Sequence, residues 1–284
     1  MILLDIVNRN SVPQAWGEGE WLPWEDPVFS RGMLEDGDSL DWSAPVLGRE
    51  IIEQRIDGIY TSILENQPAR VLHLACGDGR YTQGLAERGC ECTGIDISSA
   101  AIARAREQSA GGSLSCTYIE HEVYSAEFGH DYDLVMILSG EINKFNPMDI
   151  SEFIGKARRA LKPGGILLIE PYAYLRLQKM GDAEPDWRAV KNGLFSEEPH
   201  LCLHENLWNA NNSTLTKRWY VVDARTSNVR FFARCFQAYT FPALKQMLEK
   251  RGYDTVVRHE ALAGAVHSSA DEFVVMSAVV RSIG

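Results

Sequence analysis

The chain has 284 residues, 45% of them hydrophobic, which suffices for one large core or for a core with an appended lobe. Its formal net charge of −11 argues against nucleic acid or an anionic membrane surface as partners, because both require a basic patch. No apolar run approaches the ~20 residues that cross a bilayer, and the N-terminus, MILLDIVNRN, is too short and too acidic for a signal peptide. The cysteines lack zinc-site spacing, so free thiols in a reducing cytoplasm are expected.

Residues 1–47 combine five aromatic side chains with four prolines, a density that prevents long helices. So many indole rings do not stay exposed in a linker. Two interpretations are open: an arm that packs over the core, or a lid whose aromatic side chains close a ligand pocket. Trp42 is the substrate-binding candidate in this segment.

Helical and strand patterns alternate between residues 48 and 171. A helix is predicted over 48–66, where apolar residues recur at helical spacing, and Pro68 follows its end. The alternation that follows predicts an α/β fold with an open, mostly parallel sheet and right-handed crossovers. Its predicted strands are 71–75, 92–95, 114–119, 133–138 and 166–169, and its predicted helices are 81–88, 98–108 and 150–161.

The pattern changes after Pro171. A helical or loop stretch comes first, and three β segments separated by turn-rich joins then predict an antiparallel insertion. Those segments are 201–208, 216–223 and 229–236, and a helix at 241–250 and strands at 253–258 and 272–280 complete the core. The predicted parts of the chain are an arm or lid over 1–47, a core over 48–171, a substrate-covering insertion over 172–240 and the rest of the core over 241–284.

The stretch VLHLACGDGR, residues 71–80, joins the first predicted strand to the next helix. Gly77 and Gly79 let a ligand approach the backbone closely, and Asp96 at the end of the second strand suits ribose hydroxyls. This combination is a nucleoside-binding half-site. Asp78 within the turn would repel a pyrophosphate but not a cationic ligand, which disfavours a nicotinamide dehydrogenase.

Three further segments follow in order along the chain. Glu122 follows the third predicted strand, Asp131–Val135 opens the fourth and Leu161–Gly165 precedes the fifth. Together with the turn and Asp96, this arrangement resembles the class I S-adenosylmethionine-dependent methyltransferases over about residues 50–170. The resemblance implies a Rossmann-like sheet of seven strands with helices on both faces, and S-adenosylmethionine as the cofactor.

The resemblance also implies how the cofactor is bound. Asp96 accepts hydrogen bonds from both ribose hydroxyls, and Glu122 receives the adenine amino group with the Val123 backbone beside the ring. The segment from Leu138 to Glu141 runs under the sulfonium. The full cofactor-binding set predicted in this way is His73, Ala75, Gly77, Gly79, Asp96, Ile97, Glu122, Val123 and Leu138.

Two positions depart from the family pattern. His73 stands where an acid is usual, and Ala75 stands where a glycine is usual. Histidine keeps a hydrogen bond but not a fixed negative charge, so His73 is either a tolerated buried variant or a residue that titrates or alters cofactor affinity. The extra methyl group of Ala75 is not expected to abolish cofactor binding.

The segment Gly140–Phe145, GEINKF, lies just past the fourth predicted strand, where open α/β sheets place their ligands. It resembles a GEFNxF-like segment in a group of bacterial class I methyltransferases. Glu141 is the first catalytic candidate, because a shielded carboxylate can deprotonate a nucleophile, hold a substrate amine or bind the cofactor's ammonium group. The alternative is a structural acid bonded to backbone N–H groups. Asn143 is a substrate-binding candidate.

The insertion supplies His200 and His204 as candidates for a general base, although a structural or surface role is open for each. Glu205 is predicted to be paired or to face a pocket, because it alternates with leucines on one strand face. No metal site is expected, since a strand would place His204 and Glu205 on opposite faces. Tyr172 and Tyr239 are candidates for substrate-pocket walls, or are simply core residues.

The sequence therefore predicts methyl transfer from S-adenosylmethionine to a small organic molecule, with specialised natural-product metabolism as the expected setting. The alternatives are a protein or RNA methyltransferase, which would need an open charged groove, and a silent S-adenosylmethionine-binding module, which the His73 departure keeps open. The acceptor atom is not determined by the sequence. Neither is the oligomeric state, for which a homodimer is one option.

Overall fold

A computed structural model of the chain describes residues 1–35, 48–111, 114–260, 262 and 272–281. The chain divides into two compact units. The first unit comprises Met1–Ala44 and Tyr174–Ala238, and the second unit comprises Pro45–Ala173 and Tyr239–Gly284. Within the described ranges, no helix is both long enough and apolar enough to cross a bilayer.

The helices and strands are numbered here in chain order. The helices are α1 (Leu3–Val7), α2 (Pro27–Glu35), α3 (Arg49–Gly58), α4 (Arg80–Glu87), α5 (Ser99–Ser109), α6 (Asp149–Ala160), α7 (Tyr174–Gly181) and α8 (Phe241–Lys250). The strands are β1 (Arg70–Leu74), β2 (Glu91–Asp96), β3 (Cys116–Glu120), β4 (Tyr132–Ile137), β5 (Leu161–Ile169), β6 (Asp186–Val190), β7 (His200–Asn209), β8 (Thr214–Asp223), β9 (Val229–Gln237), β10 (Tyr253–His259) and β11 (Val275–Val280). A π-helical turn, Ile59–Ile63, continues α3, and a 3-10 helix, Glu141–Lys144, follows β4.

The second unit contains a seven-stranded sheet in the order β10-β11-β5-β4-β1-β2-β3. Strand β11 runs antiparallel to both of its neighbours, and the other neighbouring pairs are parallel. The predicted fold class, a Rossmann-like and mostly parallel sheet, is therefore confirmed. The strand order reverses between β1 and β4, and this is the position at which open α/β sheets bind ligands.

Both faces of this sheet are covered by apolar side chains. On β4, Val135 and Ile137 belong to the cluster that includes residues of α6 and α8, whereas Leu134 and Met136 belong to the cluster that includes residues of α3 and α4. A strand buried on both faces reads as a continuous apolar run, as the sequence of β4 does. Ser98 caps α5, because its hydroxyl accepts the N–H of Ala101 at 3.2 Å.

Strand β5 begins earlier than the sequence predicts. Tyr132 pairs with Leu161 and Leu134 pairs with Ile166, so Lys162–Gly165 forms a bulge between the two pairs. The Pro-Gly-Gly sequence favours this irregular backbone without ending the strand, because a bulge accommodates residues that a regular ladder excludes.

The first unit contains an antiparallel sheet in the order β6-β7-β8-β9, which confirms the predicted antiparallel insertion. The aromatic arm packs on it: Leu22 and Phe29 lie in one apolar cluster with Trp219 and Phe232 of this sheet. Within residues 1–35, the described part of the arm, the helices are the short α1 and α2, and α2 begins at Pro27. Proline is tolerated there because a first-turn N–H has no helical partner.

Strand β6 is absent from the sequence prediction, which gave a helical or loop stretch there. It is an edge strand with one neighbour, β7, and none of its five residues is buried. Trp187 at its centre is 67% exposed. Because an edge strand that buries neither face carries no apolar alternation, periodicity cannot identify it.

Candidate active site

The glycine-rich turn after β1 has three residues with left-handed backbone. The φ angles are 55° at Ala75, 56° at Gly77 and 79° at Gly79. A Cβ atom on Gly79 would lie 2.7 Å from the hydroxyl oxygen of Tyr118, so close packing explains that glycine. A Cβ atom on Gly77 would meet nothing within 4 Å. The backbone at Gly77 therefore borders open space, as a ligand-binding turn requires.

Asp96 ends β2 and connects it to this turn. One carboxylate oxygen accepts the N–H of Gly77 and the other accepts the N–H of Ser98, both at 2.8 Å. Burial raises the pKa of Asp96 above its ordinary value, although these two N–H groups lower it. The nearby carboxylate of Glu141 raises it further, so Glu141 lies close enough to Asp96 to affect its charge.

Glu122 lies just beyond β3, at the same edge of the sheet. The carboxylate of Glu122 accepts the N–H of Tyr124 at 3.2 Å and the hydroxyl of Ser125 at 3.3 Å. The N–H of His121 donates to the carbonyl of Asp96 at 2.9 Å, which joins this turn to the end of β2. The predicted ribose acid and adenine acid therefore lie on neighbouring strand ends.

The segment after β4 has an unusual backbone. Ser139 and Gly140 have φ angles of 55° and 74°, and the 3-10 helix starts at Glu141. The carboxylate of Glu141 is engaged by the ammonium group of Lys144. The Glu141 side chain is 29% exposed, so the ion pair is partly open to solvent. The sequence interpretation did not include Lys144, although its spacing of three residues from Glu141 is that of a helical ion pair.

Asn143, Tyr172 and Tyr239 have different surroundings. Asn143 is fully buried, and its side-chain oxygen accepts the N–H of Tyr172 at 2.8 Å. The ring of Tyr172 stacks on Phe273 with centroids 4.9 Å apart. The hydroxyl of Tyr239 is buried and has no hydrogen-bond partner in the part of the chain that the structure describes, and burial raises its pKa. Trp42 lies outside the described residues.

His73 is buried in β1 beside the turn. Its Nδ1 lies 3.3 Å from the hydroxyl oxygen of Thr82, and its ring meets the ring of Tyr81 edge to face at 5.8 Å. Burial lowers the pKa of His73 to about 3. The ring is therefore neutral at physiological pH, which favours the interpretation as a buried variant over a titrating residue.

Two buried charged residues beside this site were not predicted. The guanidinium of Arg55 on α3 pairs with the carboxylate of Glu170, which directly follows β5. The same carboxylate accepts the N–H of Ser139 at 2.8 Å. The sequence signal for Arg55 is its position between Ile52 and Ile56, inside the buried stripe of an otherwise apolar helix face.

The candidates from the insertion lie in the first unit. The Nδ1 of His200 lies 2.8 Å from the carbonyl oxygen of Glu198. His204 stacks on Trp219 with ring centroids 5.4 Å apart, and its Nδ1 lies 3.7 Å from an oxygen of Asp186. No group of three or more possible metal ligands occurs in the described part of the chain.

Glu205 lies in a cluster of charged side chains, in which Glu205 and Arg218 are buried and Arg9 is exposed. Its carboxylate accepts hydrogen bonds from Arg9 at 2.8 to 2.9 Å and from Arg218 at 3.0 Å. Arg218 also donates to both carboxylate oxygens of Glu18 at 2.8 Å. Of the two predicted alternatives for Glu205, paired or facing a pocket, the structure has the paired arrangement.

Comparison with known proteins gives the class of the second unit. Residues 71–165 match the family described as a methyltransferase domain. The methyltransferase YqeM of Bacillus subtilis is 30% identical over 116 residues, which cover 40% of this chain and 47% of the relative. The ubiquinone biosynthesis O-methyltransferase of Proteus mirabilis is 30% identical over 116 residues, which cover 40% of this chain and 43% of the relative.

Solved structures agree with the fold at lower sequence identity. An S-adenosylmethionine-dependent methyltransferase from Clostridium acetobutylicum aligns with a TM-score of 0.66 and 14% identity, over 89% of this chain and 99% of that one. A sugar N-methyltransferase from a Streptoalloteichus species aligns with a TM-score of 0.58 and 16% identity, over 96% and 99% of the two chains. At such identities the similarity concerns the fold.

Residues 71–165 match a methyltransferase domain, and the second unit has the fold of the class I S-adenosylmethionine-dependent methyltransferases, which confirms the predicted resemblance. S-adenosylmethionine is the cofactor of this class. The match spans less than half the length of each of these two curated relatives. The turn geometry fits the cofactor, because Gly77 borders open space next to the carboxylate of Asp96.

Proposed function

We propose that this chain transfers a methyl group from S-adenosylmethionine to a small organic acceptor. The observation that carries the proposal is the position of Asp96, which is hydrogen-bonded to the N–H of Gly77 at the glycine-rich turn. When bound, the cofactor supplies an electrophilic methyl group on a sulfonium. Methyl transfer then requires chiefly that the protein align the acceptor and exclude water.

The cofactor roles that we propose follow the strand ends. Asp96 accepts the ribose hydroxyls, Glu122 receives the adenine amino group and Val123 lies beside the ring. The turn residues from Ala75 to Gly79 border the methionine and ribose portions. Partial burial of Asp96 supports this assignment, because hydrogen bonds to a carboxylate shielded from water are stronger than those to an exposed one.

Roles for the acceptor site are proposed for a separate group of residues. Glu141 and Asn143 follow β4, and the carboxylate of Glu141, which pairs with Lys144, is proposed to bind a cationic or hydroxyl group of the acceptor. The buried and unpartnered hydroxyl of Tyr239 supports a hydrogen bond to a ligand. Residues 1–47 and 172–240, with Trp42, His200 and His204, are proposed to cover the acceptor, and one of the histidines is the proposed general base.

A small-molecule acceptor is supported by charge and by the comparisons. The net charge of −11 disfavours nucleic acid. The Streptoalloteichus structure is that of a sugar N-methyltransferase, and the Proteus mirabilis relative is an O-methyltransferase of ubiquinone biosynthesis. Since these two act on different atoms, we propose a small acceptor in specialised metabolism without choosing between oxygen and nitrogen.

Thermal shift with S-adenosylhomocysteine and with NAD tests the cofactor. We expect stabilisation by S-adenosylhomocysteine only, because a ligand that binds the folded state raises its stability by mass action. Stabilisation by NAD alone would reject the proposal. The matched control is Asp96→Ala, which should lose most of the shift.

Incubation with S-adenosylmethionine and a metabolite mixture tests transfer. The expected product has gained one methylene unit in mass, and it should be absent from the Asp96→Ala reaction. Cofactor binding without any product from small molecules, proteins or RNA would instead indicate a regulatory S-adenosylmethionine-binding module.

A further inference from the structure

A buried ion pair joins two distant parts of the second unit. Arg55 on α3 is 1% exposed, and Glu170 after β5 is 2% exposed. Taking two charges out of water costs several kcal/mol, and apolar residues of similar size often stabilise a core equally well. Stability alone therefore does not account for charges at these two positions.

Glu170 also makes three hydrogen bonds to the end of β4 and to the segment that follows it. Its carboxylate accepts the N–H of Ser139, and its carbonyl oxygen accepts the N–H of Gly140, both at 2.8 Å. Its own N–H donates to the carbonyl of Ile137 at 3.0 Å. Because Ser139 has a positive φ of 55°, its conformation costs energy and persists only where the surroundings enforce it.

A second contact joins the same two segments. The side-chain oxygen of Asn143 accepts the N–H of Tyr172, two residues after Glu170. Residues 139–143 are therefore held at both ends by hydrogen bonds to Glu170 and Tyr172. Among these contacts, the hydrogen bond from the N–H of Ser139 goes to the carboxylate of Glu170, and this carboxylate is itself paired with a buried cation, Arg55.

We propose that Glu170, paired with Arg55, is a positioning residue that fixes the backbone of Ser139 and Gly140 and thereby the direction of Glu141. This inference rests on the proposed methyl transfer, in which residues 138–145 face the cofactor and the acceptor. Arg55 supplies the charge that makes a buried carboxylate at Ser139 tolerable. Asp96 ends β2 and Gly77 lies in the turn after β1, so neither belongs to the segments that this pair joins.

The test compares two double variants that are both uncharged at this pair. Arg55→Met/Glu170→Gln keeps an oxygen acceptor for the N–H of Ser139, whereas Arg55→Met/Glu170→Leu removes it. Neither leaves an uncompensated buried charge, so both are expected to fold. Asp57→Asn is the control, because it removes an exposed ion pair with Arg88 from the same helix.

Hydrogen exchange of the peptide covering residues 137–145 is the first measurement. We expect the Glu170→Leu double variant to exchange at least about tenfold faster at Ser139 and Gly140, and the Glu170→Gln double variant to stay within about threefold of the wild type. Equal exchange in the two double variants, or an increase spread evenly over the sheet, would reject the positioning role.

Measurements of S-adenosylhomocysteine binding and of turnover distinguish a failure of this inference from a failure of the proposed function. The affinity for S-adenosylhomocysteine should stay within about threefold in all three variants, whereas kcat with an accepted substrate should fall at least about tenfold in the Glu170→Leu variant alone. If the wild type bound no S-adenosylhomocysteine, the proposed function would fail, while hydrogen exchange would still report on Ser139. If kcat fell equally in both double variants, the contact with Ser139 would not be its cause.

Discussion

Two properties distinguish Asp96 from an exposed aspartate. Each of its carboxylate oxygens accepts a backbone N–H, and burial raises its pKa above the ordinary value. The fixed N–H groups orient the carboxylate before a ligand arrives. Because the same group is partly withdrawn from water, its charge depends on pH in a range where an exposed aspartate is fully ionised.

We expect the affinity for S-adenosylhomocysteine to fall as the pH is lowered towards the pKa of Asp96. Protonation removes the charge that accepts the ribose hydroxyls, and a raised pKa makes the loss begin at higher pH than for an exposed aspartate. Calorimetric titrations between about pH 8 and about pH 5 measure this dependence.

Two variants make this prediction specific. Asp96→Asn should bind about tenfold to a hundredfold more weakly at neutral pH, as expected for lost hydrogen bonds to a charged group, and should lose the pH dependence. His73→Gln is the control, because burial lowers the pKa of His73 to about 3 and the ring is neutral throughout the titration. A pH dependence that persists in Asp96→Asn would assign the effect to another group.

At the scale of elements, the turn after β4 depends on one glycine. Gly140 has a φ of 74°, and a Cβ atom there would lie 2.2 Å from the ring of Tyr172. That ring is itself held by stacking on Phe273. The left-handed backbone and the close ring together explain why this position, between β4 and the 3-10 helix, holds a glycine.

Gly140→Ala should therefore destabilise the protein by about 2 to 4 kcal/mol, combining the cost of a positive φ with that of overpacking. Urea unfolding followed by circular dichroism measures the change. Gly111→Ala is the matched control, because a Cβ atom at Gly111 meets nothing within 4 Å and its backbone is not left-handed. Equal losses in the two variants would contradict the packing argument.

The local spacing of residues in the sequence was sufficient to predict most of the elements around the cofactor site. The turn at Gly77 and Gly79, the strand ending at Asp96 and the cap at Ser98 are encoded within a few residues of one another, so their physical causes are visible in the sequence. Edge strand β6 was missed because it buries no face. The pairing of Arg55 with Glu170 was missed because 115 residues separate the two side chains.

At the scale of the whole molecule, a cluster of charged side chains connects distant segments of the first unit. In the first unit, Arg9 from the N-terminal arm binds Glu205 on β7, which in turn binds Arg218 on β8. Burial raises the pKa of Glu205, but hydrogen bonds from Arg9 and Arg218 outweigh this effect, and the net pKa is lowered. This cluster joins chain segments that lie 196 and 200 residues apart in the sequence.

Glu205→Ala should reduce the free energy of unfolding by about 3 to 5 kcal/mol, because it leaves Arg218 buried with an incomplete set of partners. A carboxylate whose folded pKa is lowered contributes stability above its unfolded pKa, and this contribution is lost as the pH falls through the folded value. Urea unfolding at neutral and at acidic pH measures both effects, and the loss caused by the substitution should shrink at acidic pH.

Glu20→Ala is the control for this cluster. Glu20 pairs with Arg230 at the surface, where an ion pair contributes at most about 1 kcal/mol. If Glu205→Ala cost no more than Glu20→Ala, the buried cluster would have no role in stability, and a ligand-binding role for Glu205 would become the better interpretation.

The sequence by itself determined the α/β fold class and a nucleoside-binding half-site, because apolar periodicity and short-range turn chemistry act between near neighbours in the chain. The resemblance to the class I methyltransferases implied the cofactor. Only the tertiary structure decided which buried polar and charged groups bind to each other. The interaction of Glu170 with Ser139, of Glu205 with Arg9 and of Asn143 with Tyr172 depends on how strands are ordered in a sheet. That order is set by burial summed over the whole chain, and no local pattern of residues encodes it.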